Sequence, residues 1–247
     1  MNYNYQIIIE YDGKNYVGWQ FQKNGISIQE IIENNLKKII KKKIRIIGAG
    51  RTDKGVHALG QCANFLTNKK IISKNVFIDS INFFLRKNLI SIIDIKKKKL
   101  NFNSRYNAKE RTYLYKIVNR QSKLIIDSNR AWHVKKKLDF NLLKKGANFL
   151  QGKHDFSTFR ASSCSAKSPI KKINSIKVKK KGETILIEFK SKSFLQNQVR
   201  SMVGCLKYLA EKKWTLKKLK EIMISKKRVN CAPPAPAHGL YLSKIKY

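Results

Sequence analysis

One short stretch of the chain combines an acidic residue, cations and glycines in a spacing that could support catalysis. Residues 48–57 have the sequence GAGRTDKGVH, which places Asp53 between Arg51 and Lys54 with a glycine beyond each cation. The glycines let the backbone approach a ligand closely, and the cations favour an ionised carboxylate. Such an aspartate could act as a nucleophile or a general base. A solvated turn, with aspartate chosen for its turn geometry, explains the same residues equally well.

The glycine spacing matches neither of the two common nucleotide-binding loops. A Walker loop requires Lys and then Ser or Thr after its second glycine, whereas Val56 follows Gly55 here. A dinucleotide fingerprint beginning at Gly48 would require glycine at the position of Asp53. We therefore expect no nucleotide cofactor at this loop.

The cysteines and histidines form no metal-binding or disulfide pattern. There is no CxxC motif or comparable short spacing, and the histidines are scattered along the chain. We expect no metal site, and His57 lies beside the loop. The cysteines are Cys62, Cys164, Cys205 and Cys231, and the other histidines are His133, His154 and His238.

The net charge of +39 indicates a polyanionic partner. Of the 54 basic residues 44 are lysines and 10 are arginines, and a genome rich in A and T codons would also produce such a lysine excess. The positions of the scarce arginines and acidic residues are therefore more informative than those of single lysines. Without an apolar run of 18 residues or a secretory leader pattern, we expect a cytoplasmic protein that does not span a membrane.

Hydrophobic periodicity predicts the elements that position Asp53. Residues 5–11, 45–47 and 61–67 predict strands, the last two on either side of the glycine-rich loop. A helix begins after Ser27, which forms a capping box with Glu30. The apolar face of that helix comprises Ile28, Ile31, Ile32, Leu36, Ile39 and Ile40.

Similar elements are predicted in the rest of the chain. Helices are expected from Ser73 to Leu85, along an apolar stripe from Phe194 to Leu209, and after Thr215. Strands are predicted at 90–95, 110–118, 172–179, 184–190 and 239–243, and Pro233, Pro234 and Pro236 predict a rigid extended segment before the last strand. Because strands and helices do not alternate strictly, the fold class should be α+β with mostly antiparallel sheets.

The loop resembles the motif of a known enzyme family. AGRTDKGVHA at 49–58, followed by Gly60 and Gln61, is similar to AGRTDxGVHAxGQ, the motif of the TruA family of tRNA pseudouridine synthases that contains the catalytic aspartate. Further blocks occur in the expected order and extend the resemblance over essentially the whole chain. They are YDG at 11–13 with YVGWQ at 16–20, ERTYLY at 110–115, HDFSTFR at 154–160, QVRSMVG at 198–204 and APAHGLYL at 235–242.

The resemblance implies roles for four residues. Asp53 corresponds to the nucleophile, Tyr113 to a tyrosine that stacks on the target base, and Arg200 to an arginine that pairs with the aspartate. Leu240 corresponds to a position that packs against the pocket. On the residues alone, Tyr113 would be an ordinary strand aromatic, Arg200 a helix-surface charge and Leu240 a core residue.

The resemblance also implies a tRNA-binding surface. Arg51 corresponds to a residue that reaches the RNA near a flipped base, and residues 102–106 to a contact segment. We interpret the lysine run 96–99 as a solvated strand face. The predicted RNA-binding residues are Arg51, Lys69, Lys70, Phe102, Arg105, Tyr106 and Lys167.

Two segments depart from the family pattern without affecting the three catalytic-site positions. FLQNQVR at 194–200 stands where many relatives carry histidines or methionine, and Thr112 occupies a position where a basic residue is frequent.

The leading hypothesis is an enzyme that converts uridine to pseudouridine at positions 38, 39 and 40 of the tRNA anticodon arm. This isomerisation needs no cofactor and assigns no proton transfer to His57, which we therefore interpret as structural. The resemblance implies a homodimer with the pseudouridine synthase fold, in which two similar halves, 1–107 and 108–247, join their sheets across a basic central cleft. Two alternatives remain open. One is a noncatalytic RNA-binding protein or chaperone in which Asp53 is a turn residue. The other is a polybasic protein held at anionic membranes, for which the lysines are too dispersed.

Overall fold

The computed structural model describes residues 2–247, which form ten strands and five α-helices. The strands are β1 (Tyr3–Tyr11), β2 (Ile47–Gly48), β3 (His57–Thr67), β4 (Ile90–Lys98), β5 (Glu110–Asn119), β6 (Trp132–Val134), β7 (Gly152–Asp155), β8 (Ile170–Lys181), β9 (Thr184–Ser191) and β10 (Leu240–Lys246). The helices are α1 (Ile28–Ile40), α2 (Lys74–Leu85), α3 (Phe140–Phe149), α4 (Gln198–Ala210) and α5 (Leu216–Ser225).

The chain divides into two compact units. Unit 1 comprises Met1–Lys109 and Tyr241–Tyr247, and unit 2 comprises Glu110–Leu240. The sequence predicted a division after residue 107 and placed everything beyond it in the second half. The closing residues belong to unit 1 instead, because β10 pairs in parallel with β3, with Tyr241 opposite His57.

Unit 1 is a mostly antiparallel sheet covered by two helices. The strand order is β4, β1, β3, β10, and β2 pairs with β3. Helix α2 packs on β4, and α1 packs on α2. The fully buried side chains of this unit include Ile7, Ile9, Ile28, Ile32, Leu36, Phe65, Ile81 and Leu85.

Unit 2 repeats this plan with three helices. Strands β5, β9, β8 and β7 are antiparallel neighbours, and β6 pairs in parallel with β5. Helix α3 packs against α4, α5 and β8. Because antiparallel pairing dominates both units and strands and helices do not alternate strictly, the α+β class predicted from the sequence is confirmed.

The predicted helix starts at Ser27, Ser73 and Thr215 are confirmed. Each of these side chains accepts a hydrogen bond from the backbone N–H three residues later. These bonds satisfy N–H groups that the first helical turn leaves without a partner.

The strand predicted at residues 45–47 was wrong for most of its length. Only Ile47 pairs with β3, together with Gly48. The backbone of Ile46 is bound by α1 instead: its N–H donates to Glu33 Oε1 (3.0 Å), and its carbonyl accepts from Gln29 Nε2 (3.4 Å). Side chains of α1 thus bind the backbone groups that a neighbouring strand would otherwise bind. The β-branched run alone did not predict this.

Helix α3 was missed altogether. Its N-cap is Asp139, whose Oδ1 accepts from the backbone N–H groups of Asn141 and Leu142, both at 3.0 Å. The short helix carries Gly146 in its middle, a residue that weakens intrinsic helix propensity. A Cβ at Gly146 would lie 2.5 Å from a methyl of the fully buried Leu209 in α4, so the leucine side chain would have to shift to admit it.

Candidate active site

Asp53 lies in a tight turn between β2 and β3. The turn is closed by the Val56 N–H, which donates to the Asp53 carbonyl (3.1 Å), and Gly55 adopts a left-handed φ of 77°. A side chain at Gly55 would be strained in that conformation. The glycine after Lys54 is therefore a requirement of the turn that presents Asp53.

Two hydrogen bonds hold the start of the loop on β3. The Ala49 N–H donates to the Cys62 carbonyl, and the buried Gln61 side chain donates to the Gly50 carbonyl, both at 2.7 Å. The backbone before Arg51 therefore has little freedom to move relative to the sheet.

Thr52 fixes the backbone immediately before Asp53. Its side chain is 6% exposed, and its hydroxyl shares a 2.8 Å hydrogen bond with the hydroxyl of Tyr11. Its carbonyl accepts from the Trp19 N–H at 3.1 Å. The hydroxyl contact and the backbone contact of Thr52 together position the backbone that leads into Asp53.

Glycines of the 11–20 segment pack directly against the loop. Gly18 forms a β-bridge with Asp53 and has a φ of 121°, and a Cβ there would lie 2.6 Å from the Thr52 carbonyl oxygen. A Cβ at Gly13 would lie 2.0 Å from the Val56 carbonyl oxygen. Both sides of the Asp53 turn therefore require a neighbour without a side chain.

The loop places Asp53 where a ligand can reach it. Thr52 and Val56 are buried, Asp53 is half-buried, and Arg51 and Lys54 are exposed. A closely packed turn that presents a half-buried aspartate suits a nucleophile that must be held in one place.

His57 has a structural environment. It is buried, its Nδ1 accepts the Gly13 N–H (3.1 Å), and its ring stacks on Tyr241 at 4.9 Å. These contacts tie the glycine turn after β1 to the beginning of β3, in keeping with the structural interpretation.

Tyr113 lies on β5 of unit 2, opposite Phe189 of β9. Its side chain is 8% exposed, and its ring meets Phe194 edge-to-face at 5.2 Å. Phe194 was predicted to belong to the stripe of a helix but precedes α4, where it packs on Tyr113 instead. The edge-to-face contact with Phe194 therefore supports one side of the Tyr113 ring.

Arg200, in the first turn of α4, is bound to the proline-rich segment. Its Nε donates to the Ala235 carbonyl (2.7 Å), and the Ala235 N–H donates back to the Arg200 carbonyl (2.9 Å). Its Nη1 also donates to Asn197 Oδ1 at 3.2 Å. Two neutral acceptors, Ala235 and Asn197, thus orient this guanidinium.

Tyr115 connects Arg200 with Leu240. Burial raises the pKa of the Tyr115 hydroxyl, although the positive charge of Arg200 lowers it, so the group remains a neutral donor. It donates to the Pro236 carbonyl (2.8 Å), and a Cβ at Gly239 would lie 2.7 Å from its ring. Leu240, the next residue, is buried, which fits both a pocket wall and a core residue.

Two buried asparagines hold the predicted RNA-contact segment 102–106. Asn4 Nδ2 donates to the carbonyls of Lys99, Leu100 and Phe102 at 2.8–3.2 Å. Asn64 Oδ1 accepts from the Ser104 N–H at 2.8 Å, and its Nδ2 donates to Asn4 Oδ1 at 3.1 Å. The segment is therefore preorganised by side chains from β1 and β3.

A groove of about 770 Å³ lies beside this segment. Phe102 and Tyr247 contribute adjacent rings with centroids 5.0 Å apart, and Lys98 Nζ lies 5.1 Å from the Phe102 ring centre. No acidic residue lines it. The lining residues are Lys97, Lys98, Lys99, Asn101, Phe102, Asn107, Lys109 and Tyr247. Ammonium groups around aromatic rings suit a nucleic-acid strand better than an apolar ligand.

The other predicted RNA-binding side chains lie at the surface. Arg105 and Tyr106 are exposed, with the guanidinium 5.6 Å from the ring centre. Lys69 and Lys70 are exposed after β3, and Lys69 Nζ donates to the Ile39 carbonyl at 3.2 Å. Lys167 is exposed in a loop of unit 2.

Within residues 2–247, no cluster of three or more His, Cys, Asp or Glu side chains is placed to bind a metal ion. In the same range, no helix combines the length and apolar character needed to cross a membrane.

Sequence reasoning missed the groove and the asparagines that build its wall. Lys109 and Tyr247 are far apart in sequence, as are Asn4 and Asn64, so no local pattern connects them. The lysine run 96–99, of which residues 97–99 line the groove, was the available signal, and it was interpreted as a solvated face.

The sequence model of a known protein family matches most of this chain. A sequence profile described as tRNA pseudouridine synthase matches residues 7–107 and 147–247. Every predicted site residue except Tyr113 lies within the two matched stretches.

Several relatives match along nearly their full length. A tRNA pseudouridine synthase A from Pelagibacter ubique (strain HTCC1062) is 54% identical over 245 residues, covering 99% of this chain and 100% of that protein. Proteins of the same name from Rhodopseudomonas palustris (strain BisA53) and Parvibaculum lavamentivorans (strain DS-1) are 43% and 41% identical, each over 98% of both chains.

Proposed function

The chain belongs to the tRNA pseudouridine synthase family, and from that premise we propose that it converts uridine to pseudouridine at positions 38, 39 and 40 of the tRNA anticodon arm with Asp53 as nucleophile. The observation that carries this proposal is the Asp53 turn, in which contacts with Val56 and Gly18 hold the backbone of a half-buried aspartate. The position within tRNA follows from the resemblance of the sequence to the TruA family.

The reaction requires no co-reactant. It breaks the N1–C1′ glycosidic bond, turns the uracil and joins C5 to C1′, while the proton lost from C5 is balanced by one gained at N1. A carboxylate that adds to the uracil ring or to the ribose and later departs divides this exchange into two easier steps. Asp53 must therefore be ionised when it attacks and must be a competent leaving group afterwards.

The remaining site residues bind the substrate. A uridine stacked in a stem hides its glycosidic bond, so the nucleotide has to be flipped out, and an aromatic face compensates for the lost stacking. Tyr113, held by Phe194, has this role. Arg200 provides the positive charge, Leu240 provides apolar packing, and the pairing of Arg200 with Asp53 remains a prediction.

A homodimer, which the resemblance implies, is also part of the proposal, and so is a cytoplasmic location, which suits four cysteines without a disulfide pattern. Sedimentation equilibrium of the purified chain tests the homodimer, for which a mass near twice 28.7 kDa is expected.

The decisive experiment is incubation of the purified protein with an unmodified tRNA transcript, without added metal or nucleotide, followed by pseudouridine mapping. We expect pseudouridine only at uridines of positions 38–40. Pseudouridine elsewhere would overturn the proposed position. Binding without conversion would favour the noncatalytic RNA-binding alternative, in which Asp53 is a turn residue.

Replacement of Arg51 should weaken productive capture of tRNA. Loss of a charged contact of 1.5–3 kcal/mol lowers kcat/KM by about 10- to 100-fold at low tRNA concentration. The matched control is Arg86→Ala, which removes an exposed arginine of the same unit, after α2, and should change kcat/KM by less than about threefold. If Arg51→Ala retained wild-type kinetics at low tRNA concentration, the contact role would be wrong.

The groove lined by Lys97, Lys98 and Lys99 should contribute to the salt dependence of tRNA binding. Each phosphate that a lysine neutralises adds about 0.9 to the slope of log K against log salt for a duplex. Replacing residues 97–99 together by alanine should therefore reduce the slope by about 2–3. The same replacement of residues 179–181, which are exposed lysines of β8, serves as the control. Equal slopes for the two triple variants would show that the groove is an ordinary solvated face.

A further inference from the structure

Two thiols lie close together in unit 2, near the arginine proposed for the active site. The Sγ atoms of Cys205, in α4, and Cys231 are 3.4 Å apart. Cys205 is fully buried, whereas Cys231 is partly exposed. We propose that this pair is a reversible oxidation site, at which a hydroperoxide converts the two thiols to a disulfide and thereby shifts the backbone that holds Arg200.

The surroundings make Cys231 the thiol that reacts first. The pKa of Cys231 is lowered by a hydrogen bond from the Cys205 thiol and by the nearby guanidinium of Arg228, against the opposing effect of burial. The hydrogen bond with Cys231 and burial both raise the pKa of Cys205. Arg228 is oriented by Ser201, whose hydroxyl accepts from its Nη1 at 3.0 Å. A thiolate beside an arginine is the usual nucleophile in thiol oxidation.

The chemistry balances with one hydroperoxide. The Cys231 thiolate attacks the peroxide, so that an S–O bond forms, the O–O bond breaks and one water leaves after proton transfer, giving a sulfenic acid. The Cys205 sulfur then attacks that sulfur, the S–S bond forms, the S–O bond breaks, and a second water carries away the Cys205 proton. With hydrogen peroxide, two thiols are oxidised and one peroxide is reduced to two waters.

Bond formation requires movement, mostly on the Cys231 side. The sulfur atoms must approach from 3.4 Å to about 2.05 Å. Cys205 lies inside α4 among fully buried neighbours, including Met202 and Leu206. Cys231 lies outside regular helix, after the 3-10 turn Arg228–Asn230 and before the proline-rich segment. The shift therefore falls on the backbone near Cys231.

That backbone leads directly to Arg200. The Pro233 carbonyl lies so close to α4 that a Cβ at Gly204 would be 2.1 Å from its oxygen. Two residues further, Ala235 makes two hydrogen bonds with Arg200, at 2.7 and 2.9 Å. Because the contact at Gly204 leaves no space, a displacement at Cys231 is transmitted along the segment to Ala235. Oxidation should therefore disturb the guanidinium and slow conversion of uridine, a consequence that rests on the function proposed above.

Peptide mapping of the folded protein tests the oxidation directly. Trypsin separates the four cysteines into peptides 55–69, 161–167, 201–207 and 229–244. After brief treatment with equimolar hydrogen peroxide and blocking with iodoacetamide, we expect peptide 201–207 linked to peptide 229–244, with both recovered as alkylated peptides when dithiothreitol precedes blocking. Sulfinic acid on 229–244 with 201–207 alkylated, or oxidation confined to 161–167, would overturn the proposal.

Activity measurements test the link to Arg200. Oxidised protein should convert tRNA uridines about tenfold more slowly, with recovery in dithiothreitol, since small displacements of positioning groups have effects of this size or larger. Cys231→Ser should lose this sensitivity, and Cys164→Ser, which removes the other cysteine whose pKa is lowered, should keep it. A disulfide without loss of rate would overturn the link to Arg200. If the untreated protein formed no pseudouridine, the proposed function would fail while the peptide map would still test the thiol pair.

Discussion

Asp53→Asn should abolish pseudouridine formation while leaving tRNA binding nearly unchanged. Removal of a covalent nucleophile costs about 10⁴-fold or more in kcat. An amide cannot provide the anionic oxygen that attacks, although it has the same shape as the carboxyl group. The turn should survive, because it is held by backbone bonds of Asp53 and by Thr52 and Gly18. The rate of conversion and the Kd for tRNA are the two measurements.

The control for this variant is Asp79→Asn. Asp79 is an exposed carboxylate of the same unit, on α2, and its replacement changes the net charge by the same amount. It should leave both kcat and Kd within about twofold of wild type, as surface substitutions usually do. If Asp53→Asn retained more than about one hundredth of wild-type kcat, Asp53 would not be the nucleophile.

The sequence could predict what depends on neighbouring residues. Ser27, Ser73 and Thr215 reveal helix starts because an N-cap bonds backbone only a few residues away. Asp53 could be proposed as a site residue because the motif at 49–58 that resembles the TruA family is contiguous in sequence, and its turn glycine, Gly55, is local too. Helix α3 escaped detection because Gly146 weakens its intrinsic propensity, and because its packing against α4 is not visible in the local sequence.

Contacts between distant segments could not be predicted. The partners of the Asp53 turn are Gly13, Gly18 and Tyr11, more than thirty residues earlier. The groove depends on Asn4 and on Tyr247, at opposite ends of the chain. Hydrophobic periodicity reports which face of an element is buried, but not which other element covers it.

Most arginines of unit 2 have a structural role that their scarcity in the sequence did not predict. Their scarcity suggested that their positions would mark function, yet those of unit 2 mainly hold loops by donating to backbone carbonyls. Arg111 bonds Lys192, Arg120 bonds Ser122 and Lys123, Arg160 bonds Cys164 and Ala166, Arg200 bonds Ala235, and Arg228 bonds Thr158. A planar guanidinium can bridge two acceptors, which a lysine does with less precision. Arg200 is therefore a structural clamp as well as a candidate substrate-binding residue.

Gly18→Ala should reduce kcat by about 100-fold or more without a comparable loss of tRNA affinity, because misplacement of a catalytic group by about 1 Å has that effect. A methyl group at this position meets the Thr52 carbonyl at 2.6 Å, and a φ of 121° is unfavourable for alanine. The loop must move to relieve the clash, and Asp53 moves with it.

Gly182→Ala separates this effect from backbone strain alone. Gly182 also has a positive φ, 56°, but a Cβ there meets nothing within 4 Å. It should cost about 1–2 kcal/mol of stability and leave kcat unchanged. Both variants are compared at a temperature where circular dichroism shows them folded.

If Gly18→Ala does not fold, Thr52→Val tests the position of Asp53 instead. This variant removes the hydrogen bond with Tyr11 and should lower kcat by about tenfold, a cost of about 1.4 kcal/mol. Wild-type kcat in a folded Gly18→Ala protein would show that the position of Asp53 does not depend on this contact.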